Sequence, residues 1–135
     1  MTAMTSTIKM KRFDNPDQML DMKEHGRISI VKLADGTAGM HAIFEPGWTW
    51  EADEKPLLGS PDSCPMRHIG YCIGGKLVVR MAETGVETRI AAGDFFDIPP
   101  GHDAYVDGSE RAELILFAGP EHQHQSGIRS SCVAS

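Results

Sequence analysis

Residues 93–106 constrain the fold of this chain more than any other stretch: Gly-Asp-Phe-Phe-Asp-Ile-Pro-Pro-Gly-His-Asp-Ala-Tyr-Val. Gly93 takes a positive φ without steric cost and opens the stretch with a turn. Phe95, Phe96 and Ile98 have the aromatic and β-branched character of a half-buried strand. Pro99 and Pro100 lack the N–H that a sheet ladder needs, so the strand stops there. Gly101 lets the chain reverse, which delivers His102 at the mouth of the next strand.

The remainder of the chain follows the same period of two. Residues 27–33 alternate apolar and polar side chains, and residues 34–37 make a hairpin turn. Residues 39–45 form the next strand, with Met40, Ala42 and Phe44 on one face and His41, Ile43 and Glu45 on the other. Further strands are predicted at 66–73, 76–81, 86–90 and 111–117, with a kink or tight turn at Gly74-Gly75. Ahead of them, Asn15-Pro16 reads as a helix start, and Met19, Leu20 and Met22 as the inward face of a short helix over 17–24. Residues 48–65 have no clean period, and two tryptophans at their start mark an ordered flap. Short strands with turn signals every 8 to 12 residues point to an all-β sandwich or barrel.

With 135 residues the chain is predicted to form one domain. Its parts are an N-terminal segment over 1–26, a barrel over 27–118 and a polar tail over 119–135. A 41% hydrophobic content supplies a core, and a net charge of −6 argues against nucleic acid and anionic membrane surfaces. No apolar run nears the ~20 residues needed to cross a bilayer, and the first residues lack the apolar stretch of a secretory signal. Three cysteines, Cys64, Cys72 and Cys132, do not make a disulfide framework and fit a reducing cytoplasm.

Gly93, Pro99 and Gly101 match the second conserved motif of the cupin superfamily in spacing. Residues 70–79, Gly-Tyr-Cys-Ile-Gly-Gly-Lys-Leu-Val-Val, are similar to the strand–glycine–strand that ends the first cupin motif, and Pro46-Gly47 resembles the turn before it. The resemblance spans roughly residues 40–117 and implies an all-β, single-domain cupin jelly-roll β-barrel with a short N-terminal helix. Many cupins hold a metal through two histidines and a glutamate in the first motif and a histidine in the second. Aligned on Gly75, the glutamate position falls on His68 and the two histidine positions on Cys64 and Asp62. The second-motif histidine position falls on Ala104, with His102 two residues earlier.

Residues two apart on a strand are about 6.6 Å apart, twice the rise, whereas a metal–nitrogen bond is about 2.0–2.1 Å. His102 therefore does not fill the usual position: either the metal has moved toward the barrel mouth or the standard site is lost. His68, His102 and Cys64 are the candidate metal ligands, for a divalent transition metal such as zinc, iron, nickel or manganese. Trp48, Trp50, Tyr105, Cys72, His41, Glu45 and Asp62 are the candidate pocket residues. Each has a plainer reading: flap packing for the tryptophans, a small buried hydrophobe for Cys72, turn chemistry for Asp62. Residues 121–125, Glu-His-Gln-His-Gln, read as a solvated polar segment and Cys132 as a surface thiol.

Two functional classes follow. In the first the barrel holds a metal and a small, partly aromatic molecule, with catalysis of an undetermined reaction as one form of that class and the question of an enzyme left open. In the second it is a metal-free ligand-binding or sensor-type cupin, in keeping with Ala104 and with the absence of a nucleophile–base signature. Cupins of this size pair through sheet edges, so a homodimer is expected. The N-terminal helix and strand 27–33 are the expected contact elements.

Overall fold

The computed structural model describes residues 7–119. Strand β1 spans Gln18–Asp21, β2 Gly26–Lys32, β3 Ala38–Phe44, β4 His68–Gly74 and β5 Lys76–Met81. They are followed by β6 at Glu87–Ala91, β7 at Phe95–Ile98, β8 at His102–Val106 and β9 at Ala112–Ala118. Six strands form one antiparallel sheet in the order β1-β2-β3-β9-β4-β7, and three form a second in the order β6-β5-β8.

The alternation in the sequence places the core between the sheets. Ile28 pairs with Ala42, Ala42 with Leu114 and Leu114 with Cys72, giving one inward row across four strands. Ile30, Met40, Leu116, Gly70 and Phe96 form the next row. Leu77, Val79, Ile90 and Val106 answer them from the smaller sheet, all buried. Gly70 is required by close approach: an added Cβ would strike the Ile115 carbonyl oxygen and crowd Leu116 and Phe96.

The predicted N-terminal helix over 17–24 is the main correction. Residues Gln18–Asp21 are the edge strand β1, and helical geometry is confined to a 3-10 turn at Lys23–His25. The cause is a long-range pairing that outweighs local propensity. The Asp17 N–H donates to the Ile30 carbonyl at 2.8 Å and the Lys32 N–H to the Asp17 carboxylate at 2.7 Å, which zips β1 onto β2. A hydrophobic spacing that suits a helix also suits this strand, with Leu20 buried and Met19 exposed.

The flap over residues 48–65 is ordered. At its start the Val106 N–H donates to the Trp48 carbonyl, and at its end the Cys64 N–H donates to the His102 carbonyl. Both ends are thus pinned to β8, which folds the flap over the space between the sheets. The tail motif at 121–125 and Cys132 lie outside the described residues.

Candidate functional site

Turn chemistry places His102. Gly101 has φ of +93° and its N–H donates to the Cys64 carbonyl at 2.8 Å, so the chain turns into β8 with His102 facing inward. His102 is 4% exposed. Its Nδ1–H donates to the Pro99 carbonyl at 2.7 Å, the tautomer that leaves a lone pair on Nε2. Burial pushes its pKa down, which keeps the ring neutral as a ligand must be.

His68 opens β4 on the same face as Gly70 and Cys72, and its ring meets that of His102 edge-on, centroids 5.2 Å apart. Cys64, buried at the end of the flap, brings Sγ to 3.5 Å from His68 Nε2. One donor atom from each of Cys64, His68 and His102 falls within 4.8 Å of the other two. With Zn–S near 2.3 Å and Zn–N near 2.0–2.1 Å, sulfur and nitrogen ligands on a tetrahedral ion stand about 3.5 Å apart. The Cys64–His68 separation matches that chord, and the widest separation exceeds it by about 1 Å, within reach of side-chain rotation. The donor set suits the group. The sequence left Cys64 as a reduced thiol, whereas it is disulfide-bonded, and its sulfur becomes a thiolate ligand only on reduction.

These three residues line a cavity between the sheets, with a central free volume of about 40 Å³. Phe44, Trp48, Leu77, Ile98 and Ala104 are among its walls. Trp48 stacks on Phe44 with centroids 4.0 Å apart, and its indole N–H donates to Met22 Sδ at 3.2 Å. Trp50 and Glu54, both from the flap, line the same cavity.

Glu54 is the residue that sequence reasoning missed. It sits in Glu51-Ala-Asp-Glu-Lys55, which reads as a solvated acidic run, yet it is 5% exposed and burial pushes its pKa up to about 7. The turn Trp50–Glu54 is π-helical, closed by the Lys55 N–H on the Trp50 carbonyl, and buries its first and last residues. Thr49 accepts the Ala52 N–H at 3.1 Å, and Asp53 accepts the Thr49 N–H at 3.0 Å. Asp53 also meets His25 Nδ1 at 2.8 Å, a contact that raises the His25 pKa. The signal that could have revealed Glu54 was its spacing of four from Trp50.

The other predicted pocket residues lie elsewhere. Tyr105 faces outward from β8 because it alternates with the inward Ala104 and Val106, and its hydroxyl reaches Glu87 at 3.4 Å. His41 lies on the outer face of β3, its Nε2 2.6 Å from Glu113 Oε2 and its ring beside Phe13. Glu45 pairs with Arg111 at 3.0 Å, outside the cavity. Asp62 is exposed in the flap. Cys72 is a free thiol buried in the core, its Sγ–H donating to the Gly74 carbonyl at 3.3 Å, and burial pushes its pKa up. None of the five lines the cavity.

Neither a family model nor a curated protein matches the chain. Solved structures do match in fold. A cupin family protein with a double-stranded β-helix fold from Methanocaldococcus jannaschii superposes with a TM-score of 0.57 at 11% identity, covering 93% of this chain and 100% of that one. KdgF from Halomonas sp. gives 0.55 at 21% identity, over 82% and 93% of the two chains. The polyketide cyclase RemF from Streptomyces resistomycificus gives 0.58 at 13%, over 84% and 80%. The chain has the double-stranded β-helix fold of the cupin superfamily. Among structures of this fold are enzymes, and the candidate Cys–His–His cluster lies inside the barrel.

Proposed function

We propose that the barrel binds a divalent transition metal through His68, His102 and reduced Cys64, together with a small, partly aromatic organic molecule. The observation that carries this reading is the convergence of three donor atoms within 4.8 Å, with the tautomer of His102 fixed by Pro99. One thiolate with two imidazoles favours zinc over the oxygen-preferring metals, with iron, nickel and manganese as the other members of the class. A metal bound there would supply Lewis acidity toward a ligand oxygen. The protein's own contribution is a largely apolar cavity, a fixed imidazole tautomer and a flap that covers the cavity. The likeness to a polyketide cyclase supports an enzyme over a storage role.

The test is metal content after reduction, dialysis against zinc or iron and desalting, in wild type and in His68→Ala and His102→Ala. One equivalent in the wild type, lost in both variants with the fold intact, supports the reading. Equal content in all three contradicts it.

The alternative, a metal-free ligand-binding or sensor-type cupin, is favoured by one observation: Cys64 is disulfide-bonded, which withholds one donor. A cytoplasmic location, whose thiol pool would keep Cys64 reduced, belongs with the metal reading. Among the described residues no helix is long and apolar enough to cross a membrane. We also propose a homodimer. The outer face of β4, β7 and β9 carries Tyr71, Ile73, Phe95 and Phe117, each 44–70% exposed, and supports it better than the expected N-terminal helix does. Light scattering that returns a dimer mass, and a monomer mass for Phe95→Glu, would support it.

A further inference from the structure

The flap carries into the cavity two polar groups that neither the fold nor the metal reading uses. Trp50 is 3% exposed, and its Nε1–H has no hydrogen-bond partner among the described residues. Glu54 is equally buried, and burial is the single cause of its altered pKa, with no hydrogen bond or cation acting on it. A buried donor without an acceptor and a buried carboxyl without a partner each oppose folding. Both belong to one π-helical turn, a rare geometry that concentrates at functional sites. Thr49, Asp53 and His25 hold that turn in place through the bonds described above.

We propose that Trp50 and Glu54 form a recognition site for one acceptor oxygen on an otherwise apolar ligand, an aryl ketone. The proposal deepens the ligand-binding part of the reading above and rests on it, but not on the metal. An indole N–H and a protonated carboxyl both donate, so together they select an acceptor oxygen and reject an ammonium group. The walls at Phe44, Leu77 and Ile98 offer carbon surface to the body of the ligand. Trp48 adds only its ring, since its N–H is already given to Met22. A free volume of about 40 Å³ takes about three waters. A ring-sized ligand therefore enters by lifting the flap, and both donors gain their acceptor when it closes.

Recognition depends on the proton of Glu54 and weakens as pH rises past 7. The charged groups around Glu54 do not reverse this. Its own turn carries Glu51 and Asp53, the latter tied to His25, and Lys55 follows. Strand β8 brings His102 into the same cavity, together with Cys64 and His68, while Asp103 and Tyr105 lie on its outer face and Arg80, paired with Asp103, feels the charge of Glu51. None of these contributes to the protonation of Glu54.

The test uses acetophenone, a ketone that neither ionises nor donates a hydrogen bond, against its isostere α-methylstyrene, titrated by calorimetry into the full chain at pH 6 and pH 8, with metal content measured on the same samples. At pH 6 the ketone should bind about tenfold tighter than the isostere, as two gained hydrogen bonds imply. That preference should fall to about threefold in Trp50→Phe and in Glu54→Leu, and vanish in the double variant. At pH 8 wild type should bind the ketone more weakly and take up a proton on Glu54, seen as heats that change with buffer. Glu54→Gln, which keeps a donor and cannot ionise, should hold its affinity at pH 8 without proton uptake. Equal binding of the two probes by wild type, no binding of either, or an unchanged pH profile in Glu54→Gln would overturn the proposal. If the probes discriminate in a protein that takes up no metal, the metal reading fails and this one stands. If metal binds and the probes do not discriminate, the reverse holds.

Discussion

Two groups of residues in the cavity are built on opposite terms: the Cys64–His68–His102 cluster and the flap residues Trp50 and Glu54. In the cluster the polar groups described have partners: His102 is tied to Pro99, and His68 faces Cys64. In the flap the indole of Trp50 has no partner and Glu54 is buried without an ion pair. The first arrangement fixes ligand atoms in advance, which suits a metal whose bond lengths tolerate little error. The second leaves donors unsatisfied, which folding opposes and a ligand would relieve. A single cavity thus holds a satisfied group of polar residues and an unsatisfied one carried by the flap turn.

The largest effect should come from breaking the satisfied group. His102→Ala should lower metal affinity by more than about 100-fold, above the range for supporting partners alone, as read by competition with a chromophoric chelator. Oxidation state should act next. Protein with Cys64 in its disulfide should hold metal more weakly than reduced protein, by more than about tenfold in the same competition assay.

The flap group is tested through stability. Glu54 has a folded pKa of about 7 against an ordinary 4.5, so the folded state binds its proton more tightly than the unfolded chain does. Its destabilising contribution is absent below pH 4.5, grows as pH rises and is complete above 7. Glu54→Gln should therefore gain stability over wild type at pH 8, by on the order of 3 kcal/mol, and show no gain at pH 4. Urea unfolding at the two pH values checks this, and an equal difference at both would contradict it.

A smaller effect separates the two tryptophans. Trp48→Phe loses the bond to Met22 and part of the stack on Phe44, and should cost about 2 kcal/mol. Trp50→Phe removes an unpartnered donor, which offsets its lost packing, and should cost under about 1 kcal/mol. The reverse order in chemical denaturation would mean that the Trp50 N–H is satisfied in solution. The smallest effect should follow His25→Ala. It frees Asp53 and should speed amide exchange over residues 50–54 at pH 6 more than at pH 8. The raised pKa of His25 means that its ion pair is present at low pH and lost as pH rises through the folded value.

Much of the fold was legible because turns are written in residue types. Gly93, Pro99, Pro100 and Gly101 mark strand ends for steric reasons that hold in any context. Strand β1 was not legible, since what fixes it is Asp17 reaching Ile30 and Lys32, a contact distant in sequence. The alternation of β3 correctly separated Met40 from His41, but one strand alone does not say which face meets the other sheet. Tyr105 was misplaced because its neighbour Ala104 is the one that looks inward. Glu54 escaped because burial is decided by the path of the flap, which local sequence does not encode. Its acidic neighbours Glu51 and Asp53 made it look like surface.

The central claim is that Cys64, His68 and His102 hold one metal together. X-ray absorption at the zinc edge of the reduced, zinc-loaded protein tests it most directly. The account predicts a mixed first shell, with one sulfur at about 2.3 Å and two imidazole nitrogens at about 2.0 Å. A shell of light atoms only, with no sulfur scattering and no imidazole signature, would contradict it.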